Sequence, residues 1–125
     1  MLEAGVDMIL IETMAAAHEA VAAAEVAEEL APGRWAISFC LSTDGSIGNC
    51  QDGTPLKDVI GKLGGASFIG VNCLPRRIIN EQVKHLKTLL PADKRISAYG
   101  NIGFEVRDSS YKDDIEGNSA SESED

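Results

Sequence analysis

Short apolar segments alternate with longer helical patterns along most of this sequence, and this alternation limits the folds that the chain can adopt. The apolar segments, each too short for a typical helix, are residues 7–12, 35–41, 67–72 and 95–99. The helical patterns between them are residues 15–31, 55–63 and 76–90. The order β-α-β-α-β-α-β predicts an α/β domain with a parallel sheet and right-handed crossovers.

The local patterns give more detailed expectations for two of these elements. The first apolar segment, DMILIE, suits a strand that is buried on both faces. The segment 15–31 contains neither Gly nor Pro, which favours a helix. Its small residues share one face that can pack closely on a sheet: Ala20, Ala24, Ala27 and Ala31.

A further helix is predicted to begin at Pro55, with Thr54 as its cap. Its apolar side chains fall on one face and are Leu56, Val59, Ile60 and Leu63.

Two architectures fit the alternation: part of a (β/α)8 barrel, with about four parallel β-α units, or a small doubly wound sheet. Both place functional residues at the carboxyl ends of the strands. Barrel closure needs more strands than four, so four alone would leave two unpaired parallel edges. We therefore expect either part of a larger barrel or a subunit that associates through its open sheet edges.

Charge and composition exclude several classes of function. The net charge of -9 disfavours binding to nucleic acid and to anionic membrane surfaces. No apolar run is long enough for a transmembrane helix, and the amino-terminal segment lacks the basic residues of a signal peptide. The three cysteines are widely spaced, which favours a reducing, cytoplasmic compartment over a disulfide framework.

The acidic residues are concentrated near the carboxyl terminus. The last segment, DDIEGNSASESED, is almost devoid of apolar residues and is predicted to be disordered. We therefore expect a barrel-like domain over residues 1–107 and an acidic tail over residues 108–125.

The strand ends bring candidate functional residues to one rim. Glu12 follows an apolar run, so we expect its carboxylate to need a cationic partner, unless it serves as an acid at the amino end of the next helix. Asn72 and Cys73 end the third strand. From spacing alone, Cys73 is open to three interpretations: a core residue, a nucleophile or a metal ligand.

The remaining candidate partners of Cys73 narrow these interpretations only in part. His18 and His85 fall inside predicted helices, away from the rim, which disfavours a Cys-His pair. Cys40 and Cys50 show no CxxC spacing with Cys73, so spacing alone supports a zinc site only weakly.

Taken together and in order, five stretches resemble the homocysteine S-methyltransferase family. They are AGVDMILIETM (4–14), WAISFCLSTDGSI (35–47), DGTPLKDVI (52–60), IGVNC (69–73) and YGNIGF (99–104). This family includes betaine–homocysteine methyltransferase and S-methylmethionine-dependent enzymes. The resemblance implies a TIM (β/α)8 barrel, of which this chain would supply the fourth to seventh strands.

The resemblance also implies roles for the rim residues. Cys73 matches one of three thiolate ligands of a catalytic Zn2+, and Glu12 matches an acid that binds the amino group of homocysteine. Asn72 would help to shape the same pocket. The substrates would be homocysteine and a small-molecule methyl donor, the product methionine, and no residue of this chain is assigned a catalytic role of its own.

One departure from the family pattern is serious. The other two family zinc ligands form an adjacent cysteine pair, and this sequence has no cysteine after Cys73. We therefore expect the isolated chain neither to bind zinc tightly nor to transfer methyl groups. The alternative function is that of a non-catalytic half barrel that acts by association with another chain.

Overall fold

A single parallel sheet organises the computed structural model, which describes residues 2–101. Its strands are β1 (Ile9–Met14), β2 (Trp35–Phe39), β3 (Phe68–Asn72) and β4 (Arg95–Tyr99). They lie in the order β1-β2-β3-β4, and every neighbouring pair is parallel. The α/β class is therefore confirmed, and the unreversed strand order agrees with part of a (β/α)8 barrel and not with a doubly wound sheet.

Two α-helices connect strands across one face of the sheet: α1 (Ala17–Leu30) and α2 (Arg76–Leu89). The predicted small-residue face of α1 is buried, as are the Trp35, Ile37 and Phe39 side chains of β2. Because these alanine side chains are small, the backbone of α1 can lie close to the sheet. In the part of the chain that is described, no helix is long and apolar enough to cross a membrane. The predicted acidic tail, residues 108–125, lies outside the described residues.

The prediction of a third α-helix over residues 55–63 is wrong. This segment forms two short 3-10 helices, Leu56–Asp58 and Ile60–Lys62, and the first begins after Pro55 without a side-chain cap from Thr54. The β-branched pair Val59-Ile60 and Gly61 lower helix propensity within a short segment, so tertiary contacts decide its form. The apolar spacing is still used, because Leu56, Val59 and Leu63 are all buried.

The first strand also differs from its prediction. Ile9 and Ile11 pack against the core, but Leu10 is 45% exposed, so β1 is not buried on both faces. The physical reason is that successive side chains of a strand point to opposite faces, so Leu10 lies on the face opposite Ile9 and Ile11, which pack against the core. Pairing passes from Ile11–Ile37 to Met14–Phe39, which leaves Glu12 and Thr13 opposite the one residue Ser38, as in a β-bulge.

The polar loop after β2 is fixed to α2 by a buried amide. The Gly48 N–H donates to Gln82 Oε1 at 2.9 Å, and Gln82 is 1% exposed. Gly48 has a φ of +78°, and a Cβ atom there would lie 2.2 Å from the His85 ring. Glycine is therefore required at this contact, and the contact holds the loop near the carboxyl ends of the strands.

Candidate functional site

The candidate site lies at the carboxyl ends of β1 and β3, where two residues have unusual backbone conformations. Thr13 has a φ of 60° and Cys73 a φ of 55°. The left-handed region is uncommon for residues other than glycine and is a marked outlier for a β-branched threonine. Such strain persists only where surrounding structure holds it, and it is concentrated at functional sites. The bulge in β1 and the sharp turn after β3 together direct both side chains toward the same rim.

A buried amide links these residues. Asn72 is 1% exposed, and its Oδ1 accepts a hydrogen bond of 2.7 Å from the Ser38 hydroxyl. Its Nδ2 donates to Thr13 Oγ1 at 2.7 Å and to Cys73 Sγ at 3.3 Å. The Thr13 oxygen lies 4.0 Å from the same sulfur. Asn72 therefore joins β1, β2 and the turn after β3 through side chains alone.

Cys73 is an exposed thiol on a fixed backbone. Its N–H donates to the Tyr99 carbonyl oxygen at 3.2 Å, and its own carbonyl oxygen accepts from Asn101 Nδ2 at 3.2 Å. The interpretation of Cys73 as a simple core residue is therefore wrong. An accessible sulfur on a turn held by hydrogen bonds on both sides is suited to binding a metal or a ligand.

Glu12 contacts the same rim through Tyr99. The Tyr99 hydroxyl donates to Glu12 Oε1, while the Tyr99 carbonyl oxygen accepts from Cys73 N–H. Burial raises the pKa of the Tyr99 phenol, and the adjacent Glu12 carboxylate raises it further. Tyr99 therefore stays a neutral hydrogen-bond donor, and one residue connects the candidate carboxylate with the candidate metal ligand.

The amino end of α1 is capped by a different acid, Asp52. Its Oδ2 accepts from Ala17 N–H at 3.0 Å, and its Oδ1 accepts from Thr54 N–H at 3.0 Å. These two hydrogen bonds lower the pKa of Asp52. Asp52 thus supplies the helix-terminal acid that was the alternative role for Glu12. Sequence reasoning missed it because the cap comes from a distant loop.

The other two cysteines have different environments. Cys40 Sγ lies 3.7 Å from the Cys73 carbonyl oxygen and 3.2 Å from Gln51 Nε2, so Cys40 is near the rim. Burial raises the pKa of Cys40, and the neighbouring Cys73 thiol raises it further. Cys50 is fully buried, and burial raises its pKa to about 11. Cys40 therefore lies near the rim but is less exposed than Cys73, and Cys50 lies in the core.

The described residues supply only part of a metal site. Within residues 2–101, no group of three or more His, Cys, Asp or Glu side chains is placed to hold a metal ion. His18 is exposed and His85 half-buried, both on helices as predicted. Zinc in proteins takes three or four protein ligands, and only Cys73 here is an exposed thiol at the rim. The donor set within residues 2–101 is therefore incomplete for zinc.

Comparison with known families identifies the chain. The family model for homocysteine S-methyltransferases matches residues 1–123. The chain belongs to the homocysteine S-methyltransferase family. The predicted resemblance is therefore confirmed, although no curated protein sequence matches the chain at a significant level.

Solved structures of one Escherichia coli protein, the homocysteine methyltransferase MmuM, have a similar fold. Its metallated and oxidized forms are each 26% identical to this chain with a TM-score of 0.67, covering 94% of this chain and 39% of MmuM. The apo form is 24% identical with a TM-score of 0.66, covering 94% of this chain and 43% of MmuM. The chain thus spans about two-fifths of the MmuM structures.

Sequence reasoning found some of the site and missed other parts. Glu12, Asn72 and Cys73 lie at one rim, as the carboxyl-end rule predicts. Ser38 and Thr13 were not assigned a role. The available signal for Ser38 was a hydroxyl inside the apolar run WAISF, since a buried polar side chain needs a partner. No sequence signal shows the bulge that directs Thr13.

Proposed function

We propose that this chain contributes to a zinc-dependent homocysteine S-methyltransferase site. The observation that carries the proposal is the exposed Cys73 thiol, held by hydrogen bonds at a strained turn and linked through Tyr99 to Glu12. Family membership supplies the reaction class. The metallated form of MmuM is consistent with a metal in a related protein.

In this proposal each rim residue has a distinct role. Cys73 is one thiolate ligand of Zn2+, and the remaining ligands lie outside the described residues. Zinc, when bound, would lower the pKa of a substrate thiol and favour its anionic form. Glu12 binds the homocysteine ammonium group, while the Tyr99 hydroxyl orients the carboxylate through Oε1. Asn72 shapes the pocket and donates a hydrogen bond to the Cys73 sulfur.

The reaction is the transfer of a methyl group to the homocysteine sulfur. The sulfur attacks a methyl group carried by a sulfonium, a quaternary ammonium or a methylated cofactor. A new sulfur–carbon bond forms as the donor's bond to that carbon breaks, and the electron pair leaves with the donor. The thiol proton passes to solvent, and the product is methionine. Free thiols at the rim favour a reducing compartment such as the cytoplasm.

The test begins with the protein isolated from its own source, for which intact mass and zinc content are measured. Methionine formation is then assayed with each of the three classes of methyl donor. We expect Cys73→Ser to abolish both bound zinc and turnover. Cys50→Ser is the matched control, because Cys50 is buried away from the rim, and it should retain both. Turnover that survives in Cys73→Ser would refute the assigned role.

A second candidate function is association of a half barrel with another chain. It is favoured by the sheet edges, because β1 and β4 each pair on one side only within the described sheet. Two apolar side chains are also exposed there: Met8, which directly precedes β1, at 42%, and Leu10, which lies on β1, at 45%. An intact mass of 13.3 kDa in a larger assembly, without zinc-dependent turnover, would favour this function. A mass well above that value would favour the methyltransferase.

A further inference from the structure

Ser38 is a fully buried hydroxyl in the middle of an apolar strand. It lies on β2 opposite the bulge formed by Glu12 and Thr13, and its exposed fraction is 0%. A buried hydroxyl is costly unless it is hydrogen-bonded, and here it donates to Asn72 Oδ1 at 2.7 Å. The Ser38 hydroxyl donates to Asn72, whose NH2 group contacts the Cys73 sulfur, so the described route from Ser38 to that sulfur runs through the Asn72 amide.

The orientation of the Asn72 amide decides what the Cys73 sulfur meets. A side-chain amide can be turned by half a rotation, which exchanges its acceptor oxygen with its donor nitrogen. In the observed orientation, Nδ2 faces both Thr13 Oγ1 and Cys73 Sγ. In the reversed orientation, Oδ1 would face the sulfur. An oxygen acceptor beside an anionic sulfur is repulsive, so only the observed orientation is compatible with a thiolate.

The hydrogen bonds that link Ser38, Asn72 and Thr13 are donated in the same direction, from Ser38 toward Thr13. The Ser38 proton is donated to Asn72, and an Asn72 proton is donated to the Thr13 oxygen. The Thr13 oxygen lies 4.0 Å from Cys73 Sγ, and either group can be the donor there. With the Ser38 proton donated to Oδ1, the Asn72 NH2 group is left to face Thr13 and the sulfur.

We propose that Ser38 is a positioning residue of this site, which fixes the Asn72 amide so that its NH2 group faces Thr13 and the Cys73 sulfur. The sulfur then accepts hydrogen bonds, as a thiolate ligand must. The meaning of this arrangement for zinc rests on the proposed function, but the orientation itself does not.

The orientation is tested by NMR on the metal-free protein, without substrate. We expect nuclear Overhauser contacts between the Asn72 Nδ2 protons and the Thr13 methyl group in the wild type. Ser38→Ala removes the donor that fixes the amide, so these contacts should be lost. Ser38→Thr retains the hydroxyl and should restore them. Ser67→Ala is the matched control, because it deletes a similar hydrogen bond, to the Gly33 carbonyl oxygen, at the opposite end of the sheet.

Each result of these experiments either supports or contradicts the positioning role of Ser38. Contacts that persist in Ser38→Ala would overturn it, as would wild-type contacts from the Nδ2 protons to Ser38 in place of Thr13. The wild-type spectrum alone therefore suffices if Ser38→Ala does not fold. Where the wild type binds zinc through Cys73, Ser38→Ala should weaken that affinity about 10- to 100-fold. If the protein isolated from its own source shows the expected contacts but holds no zinc, the proposed function is refuted and Ser38 remains a positioning residue.

Discussion

Gly70 lies where β3 and β4 approach too closely for a side chain. A Cβ atom there would lie 2.5 Å from the Ser97 carbonyl oxygen and 2.9 Å from Ser97 Cβ. We expect Gly70→Ala to lower the free energy of unfolding by about 1–3 kcal/mol, because backbone atoms would have to move. Urea denaturation measures this change. Gly61→Ala is the control, since nothing lies within 4 Å of its Cβ position, and stability equal to wild type in both variants would contradict the prediction.

Asp52 gives a prediction about pH. Hydrogen bonds from Thr54 and Ala17 lower its pKa in the folded protein, so its anion stabilises the fold at neutral pH. This contribution is present above the ordinary carboxyl pKa of about 4 and is lost as the pH falls through the lower folded value. Asp52→Ala should therefore lower Tm at pH 7, and the difference from wild type should shrink on acidification below about pH 4.

Thermal unfolding across this pH range checks the Asp52 prediction. Asp93→Ala is the control, because Asp93 is an exposed acid on the loop between α2 and β4. A Tm difference for Asp52→Ala that does not change with pH would show that the carboxylate charge is not the cause.

At the residue scale, sequence reasoning locates residues better than it locates their partners. The positions of Glu12 and Cys73 are predictable because both residues lie at strand ends, and the carboxyl ends of parallel strands form one rim. The partner of Glu12 did not follow: a cation was expected, and the described partner is the Tyr99 hydroxyl. That contact depends on a bulge in β1 and on the position of β4, which no local pattern encodes.

At the element scale, the close packing of α1 on the sheet gives a direct test. Ala24 is 2% exposed on the face toward the sheet, whereas Ala22 is exposed on the same helix. Ala24→Leu should lower the free energy of unfolding by about 1–3 kcal/mol, because extra methyl groups must be forced into a packed contact. Ala22→Leu makes the same chemical change and should be nearly neutral in the same denaturation assay. Equal effects would mean that the helix face does not determine the outcome.

Elements with strong local signals were predicted almost to the residue. The fourth strand was predicted at residues 95–99 and is Arg95–Tyr99, and the helix predicted at 76–90 is Arg76–Leu89. The prediction of an α-helix at residues 55–63 was wrong because an α-helix and successive 3-10 turns share the same apolar spacing. In such a short segment the packing of Leu56 and Leu63 in the core, and not propensity, sets the form.

At the scale of the whole molecule, the fold and the family agree, while the site is only partly built by the described residues. The four strands and their order are those of part of a barrel, and the chain matches 39% of the metallated MmuM structure. The rim brings together one exposed thiol, a carboxylate held by Tyr99 and a buried amide. A zinc site of the kind proposed needs more ligands than this rim offers, so the proposal requires residues beyond those described.

This incompleteness predicts how the 125-residue chain behaves by itself. Each missing thiolate sharply weakens zinc binding, so we expect no tightly bound zinc and no methionine formation from homocysteine. Metal analysis after gel filtration measures the first, and the methyl-transfer assay measures the second. One tightly held zinc per chain that is lost in Cys73→Ser would contradict the prediction. It would show that Cys73 recruits further ligands, either from residues outside 2–101 or from a second copy across the open sheet edges.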